Sequence, residues 1–90
     1  MTDGELLRGY ARDRSETAFE ELVRRHIDLV HSAALRQMNG DTYMAEDVTQ
    51  TVFTDLARKA AGLVNHSSLT GWLYTSTQFV AAIGNGRPTP

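Results

Sequence analysis

The spacing of apolar residues constrains the fold of this chain more than any other feature. Apolar side chains recur at steps of three and four residues, and no stretch alternates as a half-buried strand does. Capping and helix-breaking residues interrupt this helical period several times. The sequence therefore predicts an all-α fold, a small helical bundle of three main helices plus a short N-terminal helix.

Capping residues set the boundaries of the first two predicted helices. Thr2 and Glu5 fit a capping box, in which hydroxyl and carboxylate satisfy amides of the first turn. Ser15 caps the second helix, and Asn39-Gly40 ends it. The apolar stripe predicted for the core face of the second helix comprises Phe19, Leu22, Val23, Ile27, Val30, Ala33, Ala34 and Met38.

The third and fourth helices follow the same rules. Asp41 caps a third helix that runs to about Ala61, and a last helix spans about Leu69 to Ile83. Residues 1–83 are predicted to form one domain, with residues 84–90 as a flexible tail. The residues expected to face the core are Ala45, Val48, Thr49, Val52, Leu56 and Ala60 in the third helix, and Trp72, Leu73, Ser76, Phe79, Val80 and Ile83 in the fourth.

Composition excludes several classes of function. The 90 residues include no cysteine, which excludes disulfides, thiolate metal sites and a cysteine nucleophile. The net charge of −2 argues against a general nucleic-acid coating protein, because non-specific affinity comes mainly from Lys and Arg. No apolar run is long enough to span a membrane and the N-terminus lacks an apolar signal core, so a cytoplasmic location is expected.

Residues that could carry catalysis or bind metal form no convincing set. Asp28 and His31 make one carboxylate–histidine pair, whereas a di-metal bundle needs two such units and further carboxylates. His26 and His31 are best interpreted as surface or boundary residues. Ser67-Ser68 beside His66 is more typical of a helix cap than of a nucleophile with its base. The sequence predicts a protein that is not an enzyme and holds no cofactor or metal.

A polar strip on the third helix suggests a docking surface. Asp47, Gln50 and Thr54 fall on the side opposite the predicted core, with Phe53 at the edge. Carboxylate and amide groups there can pair with Arg on a partner helix, while a phenylalanine ring adds apolar area. On spacing alone, an ordinary solvated helix face is the simpler interpretation.

The last third of the chain is almost free of charge. From Ala60 onward the only charged residue is Arg87. A polar loop is followed by a helix with aromatic, hydroxyl and amide side chains, groups that suit unpaired bases through stacking and hydrogen bonding. A capped loop followed by a helix with core aromatic residues is the alternative interpretation.

Three blocks of the sequence occur in an order typical of one known family. Residues 45–53, AEDVTQTVF, and residues 71–74, GWLY, are similar to the A-E-D-x-x-Q-x-x-F signature and the x-W-L-Y block of the extracytoplasmic-function group of bacterial sigma factors. Residues 18–26, AFEELVRRH, resemble the first conserved helix of that group. The resemblance extends from about Glu5 to Ala82 and corresponds to region two of these transcription initiation factors.

The resemblance implies two binding surfaces. The helix that carries Asp47, Gln50, Phe53 and Thr54 would dock on the clamp coiled coil of the largest subunit of core RNA polymerase. The loop from Leu63 to Thr70 would hold a base flipped out of the minus-ten promoter element, and the last helix would contact this element as single-stranded DNA. The residues expected to bind DNA are Asn65, His66, Ser67, Ser68, Trp72, Tyr74, Thr75 and Gln78.

Departures from the family pattern leave alternatives open. The family usually has basic residues soon after the W-L-Y block, where this chain has Thr75 and Gln78. Direct DNA binding is therefore expected to be weak. The second promoter-reading domain is expected to be missing, so the chain would be an excised domain, a truncated product or a degenerate relative. The alternative function is a protein-interaction module that binds polymerase or an anti-sigma factor without reading DNA.

Overall fold

The computed structural model describes residues 1–66 and 68–84, which form four α-helices and, within these ranges, no strand. The helices are α1 (Asp3–Asp13), α2 (Glu16–Gln37), α3 (Thr42–Leu63) and α4 (Leu69–Gly84). The predicted all-α bundle is confirmed. Ser67, predicted to bind DNA, lies outside the described residues, as does the expected tail apart from Gly84, which ends α4.

The predicted caps are present at the first three helix starts. The Thr2 hydroxyl accepts from the Glu5 backbone N–H at 3.1 Å, and the Thr2 N–H donates to the Glu5 carboxylate at 2.8 Å. The hydrogen bond from the Thr2 backbone N–H, and after it the Thr2 hydroxyl, lower the pKa of the Glu5 carboxyl. The side chains of Ser15 and Asp41 each accept from the amide three residues further on, at 3.2 and 3.1 Å.

Left-handed backbone conformations turn the chain between the first three helices. Arg14 follows α1 with φ 54°, and its guanidinium lies 5.4 Å from the centre of the Tyr10 ring. Asn39 and Gly40 follow α2 with φ 55° and 85°. Asparagine and glycine tolerate this region best, which explains why this predicted break ends the helix.

The core lies where α2 packs against the three other helices. Its fully buried side chains are Leu7, Leu22, Val30, Val52, Leu56, Leu73 and Thr77. The hydroxyls of Thr49 and Thr77 are also buried, and each donates to the carbonyl four residues back, at 2.8 and 2.7 Å. Because these bonds satisfy the hydroxyls, the core carries two polar groups without an unpaired donor.

The predicted core face is confirmed for α3 and partly wrong for α4. All six residues expected to face the core from α3 are buried. In α4, Phe79 and Ile83 are 67% and 51% exposed, whereas Thr77 and Ala81 are buried with Leu73. Because α4 is apolar on more than one side, its own pattern does not fix its rotation, and packing against α2 and α3 does.

A polar contact fastens α1 to α2. His26 is buried, contrary to its interpretation as a surface or boundary residue, and its Nε2 lies 2.9 Å from the Asp3 carboxylate. Arg25 donates to the same carboxylate at 3.3 Å. Arg25 also donates to Glu21 at 3.1 Å, which is the main reason why its pKa is raised. The start of α1 is thus held against the middle of α2.

Candidate functional site

Helix α3 presents its predicted polar strip to solvent. The side chains of Asp47, Gln50 and Thr54 are exposed, as the helical period requires. Phe53 differs from the prediction, since only 7% of its surface is exposed. The ring packs into the core and lies beneath the strip, because its position on α3 points toward α2 rather than outward.

The strip forms one wall of a groove between α2 and α3, here called the α2/α3 groove. Its volume is about 820 Å³ and its surface is mostly apolar. The residues that line this groove are Phe19, Val23, Ile27, Asp28 and His31 from α2, and Glu46, Asp47, Thr49, Gln50, Phe53, Thr54 and Ala57 from α3. All four residues predicted to bind polymerase therefore meet at one site.

The α2/α3 groove has an acidic rim. Asp28, Glu46 and Asp47 contribute carboxylates, and no Lys or Arg is among the lining residues that the structure describes. Ile27, expected in the core, is 39% exposed and lies in the wall opposite the strip. This α2 wall was not predicted, because the period of one helix does not show which residues of its neighbour lie across the groove.

The loop between α3 and α4 is organised as a helix cap. The Ser68 hydroxyl accepts from the Gly71 N–H at 3.0 Å, at the start of α4. The Ser68 backbone N–H lies 3.3 Å from His66 Nδ1. The capped-loop interpretation is therefore correct for these two residues. No hydrogen bond among the described residues uses the Ser68 hydroxyl proton or the exposed Asn65 amide, and both groups can bond to a ligand.

A smaller cavity, here called the loop cavity, adjoins this loop. It has a volume of about 340 Å³ and a mainly polar surface. The loop and the start of α4 contribute Leu63, Val64, His66, Ser68, Leu69 and Thr70, and α1 contributes Thr2, Asp3, Gly4 and Leu7. The α1 wall was not predicted, since no sequence signal connects the N-terminus with a loop sixty residues away.

The residues predicted to bind DNA from α4 do not share one face. Tyr74, Thr75 and Gln78 are exposed and lie within an arc of about 100°. Trp72 is half-buried against the core on another side of the helix. The exposed arc contains a ring, a hydroxyl and an amide without any charged group.

The described residues offer neither a metal site nor a membrane-spanning helix. Among the residues that the structure describes, no group of three or more His, Asp or Glu side chains is placed to hold a metal ion. Within the same ranges, none of the four helices combines the length and the apolar character that crossing a membrane requires.

These features define an all-α domain with an acidic-rimmed groove on one side and a neutral loop-and-helix surface on another. The family model for sigma-70 region 2 matches residues 22–82, most of the chain, so the protein belongs to the sigma-70 region 2 family. Domains of this family take part in RNA polymerase binding and promoter melting. The chain matches neither a curated protein nor a solved structure.

Proposed function

We propose that this domain docks on core RNA polymerase through the α2/α3 groove and captures the minus-ten promoter element as single-stranded DNA. The observation that carries the proposal is the meeting of Asp47, Gln50 and Thr54 above the Phe53 ring in one groove. The match to the region 2 family supports the polymerase and promoter roles in general. The assignment to the extracytoplasmic-function group of bacterial sigma factors belongs to the same proposal.

The proposed partner of the α2/α3 groove is the clamp coiled coil of the largest polymerase subunit. A helix of this coiled coil would place apolar side chains on Val23, Ile27 and Phe53, which line the groove. Arg side chains at its edges would pair with the carboxylates of Asp28 and Asp47. No cation of the described groove lining competes for these carboxylates, so the rim favours a basic helix.

The proposed DNA surface joins the loop cavity to the exposed arc of α4. The Tyr74 ring is 41% exposed, so a base can stack on it, and Thr75 and Gln78 offer hydrogen bonds beside it. The loop cavity, lined by Ser68 and Thr70, would receive the flipped base. Its volume is at the lower end of the range of about 300–1,000 Å³ that ligand pockets occupy.

Polymerase docking and base capture are coupled in this mechanism. Unstacking a base costs a few kcal/mol, and the described part of the chain after Lys59 offers no Lys or Arg to bind phosphates. The domain alone therefore gains little from counterion release. We expect the polymerase to supply the remaining DNA contacts, so that melting proceeds only in the complex.

A fluorescent minus-ten oligonucleotide tests the DNA role. We expect weak anisotropy changes with the domain alone and clear binding when core polymerase is added. Tyr74→Ala should weaken capture by the complex about fivefold or more, because base stacking contributes about 1–3 kcal/mol. The same loss should not occur with an oligonucleotide of scrambled sequence. Equal affinity for both oligonucleotides would contradict minus-ten capture.

The second candidate function is a protein-interaction module that binds polymerase or an anti-sigma factor without reading DNA. The lack of charge on α4 and the use of Ser68 as a cap favour it. In that case, the domain would bind polymerase with full affinity, and the complex would not distinguish the minus-ten sequence. Sequence-dependent capture in the anisotropy experiment would exclude this candidate.

A further inference from the structure

A second groove lies on the other side of α3, between α3 and α4. Its volume is about 370 Å³, and its surface is mostly apolar. Val48 and Val80 line it, Phe79 and Ile83 form the α4 side, and Asp47 and Asp55 form the α3 side. We call it the α3/α4 groove. None of the assignments made above uses this groove, although Asp47 lies on the rim of both grooves.

On the α4 side of this groove, two large apolar side chains are exposed to solvent. Phe79 and Ile83 are 67% and 51% exposed and lie four residues apart, so they are neighbours on one face of the helix. Scattered apolar residues are common on protein surfaces, but a pair beside an apolar groove provides a continuous surface. This surface is suited to apolar anchors of a partner.

The α3 wall supplies negative charge. The Asp47 carboxylate has no hydrogen-bond or ion-pair partner among the described residues, and Asp55 has Arg58 at 3.5 Å. The Arg58 side chain is 68% exposed, so this ion pair is easily exchanged for another. No cation lies in the described lining of the groove itself.

We propose that the α3/α4 groove binds a basic amphipathic helix of a partner protein. The apolar face of this helix would lie against Phe79 and Ile83, and its Lys or Arg side chains would pair with the α3 carboxylates. A second copy of this chain fits less well. Docking of two copies through the same face would bring four carboxylates together, with Arg58 as the nearest cation.

The test uses a synthetic peptide of about 18 residues, composed of Leu and Lys, with Leu at helical spacing. The labelled peptide is titrated with the full chain, without polymerase or DNA, and anisotropy is measured. We expect binding, and we expect the same peptide with Glu in place of Lys not to bind. Because no polymerase is present, failure of this inference leaves the proposed function untouched.

Variants locate the peptide on the domain. Phe79→Ser should weaken binding about tenfold, as loss of a central apolar anchor does. Asp55→Asn should weaken it about threefold, since an exposed charge pair contributes less. Leu29→Ser is the control, because Leu29 is a 39% exposed apolar residue of α2 that lines neither groove. Circular dichroism verifies that each variant is folded.

Three outcomes would overturn the proposal. The first is the absence of peptide binding. The second is peptide binding that Phe79→Ser leaves unchanged and Ile27→Ser abolishes. This result would place the peptide in the α2/α3 groove. The third is a wild-type dimer in light scattering that Phe79→Ser converts to a monomer, which would show that a second copy occupies the α3/α4 groove.

Discussion

The two proposed binding surfaces differ in how the fold assembles them. The polymerase residues lie on consecutive turns of α3, and one neighbouring helix completes their groove. The DNA residues come from a loop and from different sides of α4, and α1 supplies part of the adjoining cavity. The polar strip on α3 thus follows from helical period alone, whereas a surface shared by a loop and two helices depends on tertiary packing.

The two surfaces also differ in charge. The α2/α3 groove carries carboxylates over an apolar floor, while the exposed arc of α4 is neutral. An acidic groove suits a basic protein helix and disfavours phosphate. A neutral arc avoids repelling DNA but does not attract it. This contrast agrees with the proposed division between a docking surface and a base-capture surface.

The largest expected effects on the free energy of unfolding come from removing one aromatic ring from each surface, a buried ring from one and a half-buried ring from the other. We expect Phe53→Ala to lower the free energy of unfolding by about 3–5 kcal/mol, because the ring is in the core. Trp72→Ala should cost about 1–3 kcal/mol, since the side chain is only half-buried. Urea denaturation measures both. A larger loss of unfolding free energy for Trp72→Ala than for Phe53→Ala would show that Trp72, and not Phe53, is the core ring.

A smaller effect is expected where α1 is fastened beside the loop cavity. His26→Ala removes one of the two hydrogen-bond partners of the Asp3 carboxylate and leaves a small cavity, so we expect a loss of about 1–3 kcal/mol in the free energy of unfolding. Because Asp3 lines the loop cavity, amide hydrogen exchange should increase in α1 and the loop more than in the α2/α3 groove. Uniform acceleration in all four helices would contradict this local role.

A still smaller effect concerns the capping box at Glu5. The Thr2 hydrogen bonds lower the pKa of this carboxyl, so the ionised form stabilises the folded state. This contribution is present above the ordinary pKa of about 4.5 and disappears as the pH falls through the lowered value. An NMR titration of Glu5 should give a midpoint below the ordinary value. A midpoint at or above it would show that the box is not formed.

The smallest effects are expected at the exposed binding residues. Gln50→Ala and Tyr74→Ala should each change the free energy of unfolding by less than about 0.5 kcal/mol, since neither side chain is buried. Thermal unfolding followed by circular dichroism measures both. A marked loss for Gln50→Ala would mean that the strip on α3 is structural rather than a docking surface.

Much of this fold could be predicted from sequence because its signals are local. The caps at Thr2, Ser15 and Asp41 and the break at Asn39-Gly40 depend on residues within one turn, and the structure confirms them. The buried face of α3 follows from the separation of its apolar positions from its charged and amide residues. Local chemistry therefore determined the starts of the first three helices, the end of α2 and the orientation of α3, while α3 continues two residues past its predicted end to Leu63.

The wrong predictions concern properties that a single element does not determine. Phe79 and Ile83 were assigned to the core because α4 is apolar on several sides, and only its neighbours decide which side is buried. His26 was interpreted as a surface or boundary residue because its partner Asp3 is distant in sequence. The α1 wall of the loop cavity was missed for the same reason.

The most direct test of the central claim is the affinity of core RNA polymerase for the domain in the absence of DNA. Gln50→Ala is compared with Gln78→Ala, the same substitution on the exposed arc of α4. We predict that Gln50→Ala weakens binding about tenfold, or about 1.4 kcal/mol, while Gln78→Ala retains wild-type affinity. Equal affinities for the wild type and Gln50→Ala would contradict docking through the α2/α3 groove.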